Sequence, residues 1–122
     1  MPPPLRAFFA SPFAPAYRWI RSAVAAACRQ HDVELRAVDE LVRPGASIIQ
    51  AIHQEIDDCD LGVAVLTGNN SNVFYELGRL YQASKPTILL ADQAGLSALP
   101  FDVRSFAVIG YDQKGLVLSE RD

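Results

Sequence analysis

The sequence predicts an α/β protein: a flavodoxin-like (Rossmann-like) three-layer sandwich built on a five-stranded parallel sheet of order 2-1-3-4-5. Two observations carry that prediction. Apolar runs of strand length alternate with longer segments of helical period, the pattern of βαβ units around a parallel sheet. The chain has 122 residues and is 50% hydrophobic, enough for one core and too little for two, so a single domain over 1–122 is expected. No internal repeat, heptad pattern or low-complexity tract competes with this reading.

The first strand is placed at Leu5 to Phe9. Ala16 to Gln30 follows as a helix, with Ile20, Ala23, Val24, Ala27 and Cys28 on one face. Val33 to Val38 is the second strand. The second helix opens with Ser47 and Gln50 as a capping-box pair and buries Ile49, Ile52 and Ile56. Leu61 to Leu66 is the third strand. The third helix presents Val73, Leu77, Leu80 and Ser84 at helical spacing and stops at Lys85-Pro86, because the residue before proline is pushed out of the helical region. Thr87 to Ala91 and Phe106 to Tyr111 complete the sheet. About ten residues remain after the fifth strand, ending at Ser119 to Asp122, which predicts no covering helix there, one under-covered sheet face, and a homo-oligomer whose partner subunit covers it.

Composition narrows the function. The formal charge is −3, with 11 basic and 14 acidic residues spread along the chain, so there is no basic stripe for a nucleic-acid polymer. A single nucleotide remains compatible. The opening MPPPLRAFF lacks the charged and apolar regions of a secretory signal, and no apolar run approaches the roughly 20 residues that span a bilayer. Cys28 and Cys59 share no framework and are read as free thiols, so a cytoplasmic protein is expected. The two histidines form no H-E-x-x-H, the cysteines no C-x-x-C, and there is no G-x-S-x-G elbow; neither a metal nor a cofactor is expected.

In a doubly wound sheet, ligands bind outside the carboxyl ends of the strands, near the switch between the first and third. Three loops converge there: Ala10 to Pro15, Val38 to Ala46 and Thr67 to Asn72. On a helical wheel with Val73 at zero, Leu77, Leu80 and Ser84 fall within about 40° and Glu76 about 60° to the other side, at the border of the buried stripe. Glu76 is expected in the first helical turn. It fits either a glutamate that caps backbone or pairs with Arg79, or a carboxylate aimed at a ligand in the crevice. Asp60, before the third strand, is either a solvated turn acid or a support for Glu76 or a ligand hydroxyl. Asp39 and Asp92, at the exits of the second and fourth strands, are similar candidates that turn chemistry explains as readily. In FASPFAPAYRWIR, Phe13 and Tyr17 could sandwich a nucleobase, and Ser11 or Arg18 could meet a ribose or phosphate. The cluster Gly68-Asn69-Asn70-Ser71-Asn72 offers amides and backbone N–H groups as a cradle for phosphate or sugar, though it is neither G-x-G-x-x-G nor Walker A.

The segment DCDLGVAVLTGNNSNVFYELGRLYQASKPTILLAD, followed by LPFDVRSFAVIGYD, resembles the nucleoside 2-deoxyribosyltransferase family and its TIR-like nucleotide-binding relatives. The resemblance covers most of the chain and is most specific at NVFYELG and at the lysine-proline before the fourth strand. It implies that Glu76 is the nucleophile that attacks the sugar's anomeric carbon, and that Asp60 is the aspartate that helps handle the base. A second transferase acid, six positions before the nucleophile, falls on Asn70, and an amide cannot relay a proton. The expectation is therefore cleavage, by hydrolysis or transfer, of the N-glycosidic bond of a nucleoside, nucleotide or NAD. Glu76 and Asp60 would be catalytic, and Phe13, Tyr17, Ser11, Asp39, Gly68, Asn70, Ser71 and Asn72 would bind substrate. The alternative is a TIR-like module that senses a nucleotide or self-assembles without cleaving anything.

Overall fold

The computed structural model describes residues 3–38, 45, 47–99 and 107–112, and the backbone of 117–120. Its sheet contains β1 (Leu5–Ala10), β2 (Val33–Ala37), β3 (Leu61–Val65), β4 (Thr87–Asp92), β5 (Val108–Asp112) and β6 (Val117–Glu120). The first five strands are parallel in the order β2-β1-β3-β4-β5. A short strand not expected from the sequence, β6, pairs antiparallel to β5 and forms the edge, so the sheet has six strands.

Strand side chains alternate between two faces. Phe8, Ala10, Ala64, Leu66, Leu89 and Ala91 pack with Ile52 and Ile56 of helix α2 (Ile48–Asp58) and with Val73, Leu77 and Leu80 of helix α3 (Ser71–Gln82). Phe9, Val63, Val65, Leu90 and Tyr111 face the other way, onto Ile20 and Val24 of helix α1 (Arg18–Gln30). Fully burying each Leu, Ile, Val or Phe of these layers contributes about 1.5–3 kcal/mol. Gly62 lets α3 approach β3: a Cβ there would lie 2.7 Å from a Leu80 methyl carbon.

Several boundaries differ from expectation. Pro15–Tyr17 forms a separate 3-10 turn closed by the Tyr17 amide on the Ala14 carbonyl, so α1 starts at Arg18. Ala23 and Ala27 lie on its exposed side. In α2 the buried stripe is Ile52, Glu55 and Ile56, whereas Ile49 is 44% exposed. Ile49 sits in the first turn, at the carboxyl edge of the sheet. Glu55 is buried because Arg6 of β1 donates to both its carboxylate oxygens at 2.9 Å. α3 ends at Gln82: Ser84 takes φ 58°, and the amides of Ser84 and Lys85 return to the carbonyls of Tyr81 and Leu80. Ser84 is therefore exposed in a Schellman turn and does not belong to the buried stripe. Phe106, expected to open the fifth strand, lies outside the described residues, as do Asp39 and most of the Val38 to Ala46 loop.

Candidate active site

Because the strands are parallel, their exits share one edge, and there Thr67 joins three elements. Its carbonyl accepts the Tyr17 hydroxyl at 3.3 Å, and its own hydroxyl accepts the Asp92 amide at 2.8 Å and bonds the Tyr111 hydroxyl. Gly68 makes the first contact possible. It holds φ 84°, and a Cβ there would come within 2.8 Å of the Tyr17 hydroxyl oxygen. Thr67 was not singled out in the sequence, since its partners are 25 to 50 residues away.

Asn70 is the N-cap of α3. Its Oδ1 accepts the amides of Asn72 and Val73 at 2.9 and 3.1 Å, which occupies two of the N–H groups expected to cradle a ligand. Asn69, at φ 50°, donates from its side chain to the Ala98 carbonyl at 3.1 Å. Ser71 and Asn72 stand exposed in the first turn of α3. Asp92 accepts the Ala94 amide at 3.0 Å and so performs turn chemistry.

Glu76 is the sixth residue of α3, in its second turn rather than its first, roughly 8 Å along the axis from Ser71. It is 5% exposed, on the sheet-facing side between Val73 and Leu80. Neither of its simple structural roles is realised: among the described residues it caps no backbone and forms no ion pair with Arg79, whose Nε is itself buried without a hydrogen-bond partner. Burial raises the Glu76 carboxyl from an ordinary 4.5 to about 7. Tyr75 stacks on His53 of α2, with ring centroids 5.9 Å apart and the Tyr75 hydroxyl 2.7 Å from His53 Nε2. Helical geometry then turns the flank that carries Asn72, Glu76 and Arg79 towards the seam between α3 and α2.

Asp60 is not brought to Glu76. Its carboxylate accepts the Arg6 amide at 2.8 Å and its amide returns to the Arg6 carbonyl, which ties the start of β3 to the start of β1. Roughly 20 Å of strand separates it from Thr67 at the opposite edge of the sheet. Asp60 thus stands at the amino edge of the sheet, engaged with Arg6, while Thr67 and the start of α3 lie at the carboxyl edge.

Phe13, Tyr17 and Ser11 do come together. With Phe9, Pro12, Ala14, Arg18, Arg21, Ala37 and Val38 they line a cavity of about 310 Å³ outside the exits of β1 and β2. Phe13 is 66% exposed at this cavity. Glu76 is not among its lining residues; Tyr17, through Thr67 and Gly68, links the cavity to the loop that starts α3. Among the described residues, no cluster of His, Cys, Asp or Glu could hold a metal ion, and no helix is long and apolar enough to cross a membrane.

This arrangement defines the class of fold: a flavodoxin-like α/β sheet with its crevice at the carboxyl edge. Comparison with solved structures gives that class particular neighbours. A 2-deoxyribosyltransferase from Bacillus psychrosaccharolyticus is similar at TM-score 0.60 and 18% identity, over 96% of this chain and 99% of that one. The TIR domains of the activated Roq1 resistosome are similar at TM-score 0.64 and 13% identity, over 77% and 61%. The Clostridium botulinum CMP N-glycosidase BcmB is similar at TM-score 0.57 and 17% identity, over 82% and 78%. No protein-family model matches the sequence, and a search of curated proteins gives no match. The structural neighbours are of the kinds the sequence resembles, and at these identities they establish the shared fold.

Proposed function

We propose that the protein cleaves the N-glycosidic bond of a nucleoside or nucleotide, with the Glu76 carboxylate attacking the anomeric carbon. The observation that carries this reading is the state of Glu76: a carboxyl buried on the sheet side of α3, without a hydrogen-bond or ionic partner among the described residues, its pKa raised by burial to about 7. A buried acid left unpaired lowers stability, and such groups concentrate where chemistry needs them. Two of the three neighbours, a deoxyribosyltransferase and a CMP N-glycosidase, are enzymes of this bond by name.

In the proposed step the ionised Oε of Glu76 forms a bond to C1′ as the C1′–N bond breaks, and its electron pair leaves with the base, which takes up a proton. Water then cleaves the glycosyl ester, releasing the sugar and regenerating the carboxylate; a second base in place of water gives transfer. Asn70 supplies no proton, and the Asp60 carboxylate is engaged with the Arg6 amide at the amino edge of the sheet. Protonation of the departing base therefore falls to water, an arrangement that favours hydrolysis over efficient base exchange.

The test is chromatographic detection of free base from deoxynucleosides, their 5′-monophosphates and NAD. Base release from one substrate class supports the reading. Tight binding across the panel with no base released would instead support a sensing module. The TIR-domain likeness and the amide at Asn70 favour that second reading.

A further inference from the structure

Two chains of contacts leave the aromatic wall of the cavity and meet on one residue. Tyr17, which lines the cavity, donates its hydroxyl to the Thr67 carbonyl at 3.3 Å. Trp19, two residues further along, packs at 77° against the fully buried Tyr111 with 5.3 Å between ring centroids, and the Tyr111 hydroxyl bonds the Thr67 hydroxyl. Thr67 closes a ring with the segment that carries both aromatics. Its hydroxyl also accepts the Asp92 amide at the exit of β4.

Thr67 stands where the backbone leaves β3 for α3. The Asn69 amide closes on the Leu66 carbonyl at 3.1 Å, with Gly68 at φ 84° in the third position of the turn, and Asn69 follows at φ 50°. α3 has other supports that do not involve Thr67: the Asn70 cap, the packing of Val73, Leu77 and Leu80 on the sheet, and the close approach of Leu80 to Gly62 at the far end. Those contacts set how near the helix lies to the sheet. The turn that feeds it sets where its first residues stand along and around the axis, and Glu76 follows Ser71 by five residues.

We infer that Thr67 is a positioning residue: the bonds that converge on it fix the first turns of α3, and with them Glu76, relative to the cavity wall formed by Tyr17. The consequence for rate rests on the N-glycosidase reading above; the placement of Glu76 does not.

Three variants separate this role from simple support. Thr67→Val keeps the volume and deletes the hydroxyl, Thr67→Ser keeps the hydroxyl, and Tyr17→Phe removes only the donor to the Thr67 carbonyl. Base release is measured well below the unfolding temperature of each, and the Glu76 carboxyl is titrated by carbon-13 NMR, with its signal assigned by its loss in Glu76→Gln. Thr67→Val should lower kcat by roughly tenfold or more while KM stays within about twofold, since misplacing a reacting group costs rate rather than binding. Thr67→Ser should restore kcat. Tyr17→Phe should act in the same direction, and its effect combined with Thr67→Val should fall short of the product of the two, as for residues in one network. The titration midpoint of Glu76, about 7 in the wild type, should fall in Thr67→Val as water reaches the carboxyl and stay in place in Thr67→Ser.

A purely supporting role predicts a lower Tm with kcat, KM and the Glu76 titration unchanged, and that result would overturn the inference. So would a failure of serine to restore kcat. Should Thr67→Val not fold, Tyr17→Phe decides: unchanged kcat and an unchanged Glu76 titration overturn it. A wild type that releases no base from any substrate would sink the N-glycosidase reading, while the NMR titration would still decide whether Thr67 places Glu76.

Discussion

Glu76 should make stability and activity move in opposite directions over one pH interval. In the folded protein its carboxyl titrates near 7; in the unfolded chain it returns to about 4.5. Between those values the folded state binds more protons than the unfolded state, so stability falls as pH rises. The penalty is absent below about pH 4.5 and fully developed above about 7. At ~1.4 kcal/mol for each factor of ten in the ionisation constant, its upper bound is about 3.5 kcal/mol, and partial solvent exposure of the carboxyl reduces it to roughly 2–3. Glu76→Gln keeps the shape and removes the charge. At pH 8 the variant should therefore be roughly 2–3 kcal/mol more stable than the wild type, with a Tm higher by on the order of 5–10 °C. At pH 4.5 the two should unfold together. If the ionised form is the nucleophile, wild-type kcat/KM should climb through pH 7 while stability declines, and the variant should be inactive at every pH. Thermal unfolding followed by circular dichroism from pH 4.5 to 8.5, with base release measured alongside, checks both trends. Parallel stability profiles for the two proteins would refute the buried, unpaired carboxyl on which the reasoning depends.

Two further predictions concern the frame around the site. Asn70→Ala should cost about 1 kcal/mol of stability through the lost cap, whereas Asn70→Asp should keep the cap and shift products from hydrolysis towards base transfer; denaturation and product analysis check the pair. Glu55→Ala should cost about 3 kcal/mol in urea denaturation, because it leaves the Arg6 and Arg36 side chains without the buried carboxylate they converge on.

The parallel topology and the burial of Glu76 were legible because both rest on local periodicity: alternating strand and helix lengths, and a wheel position beside Val73 and Leu80. Glu55 was not, because its burial depends on Arg6 and Arg36 from β1 and β2, and no pattern within α2 reveals them. The bond from Tyr17 to Thr67 spans 50 residues and was equally hidden. Asp60 teaches a different lesson. Chain order alone puts a residue just before a parallel strand at the amino edge, away from the crevice; the family resemblance pointed to the opposite conclusion, and topology prevails. Asn70 shows a single amide doing the work of a helix cap at a position where the family resemblance implied an acid. β6 escaped notice because four residues are too few to display a period.

The most direct measurement is mass spectrometry of the protein after incubation with 2′-deoxy-2′-fluoro nucleosides and their 5′-monophosphates, whose electron-withdrawing fluorine slows breakdown of a glycosyl ester. The account predicts a stoichiometric adduct of the fluorosugar mass, localised by peptide sequencing to Glu76 and absent from Glu76→Gln. Base release by wild type and Glu76→Gln alike, with no adduct on the Glu76 peptide, would contradict it.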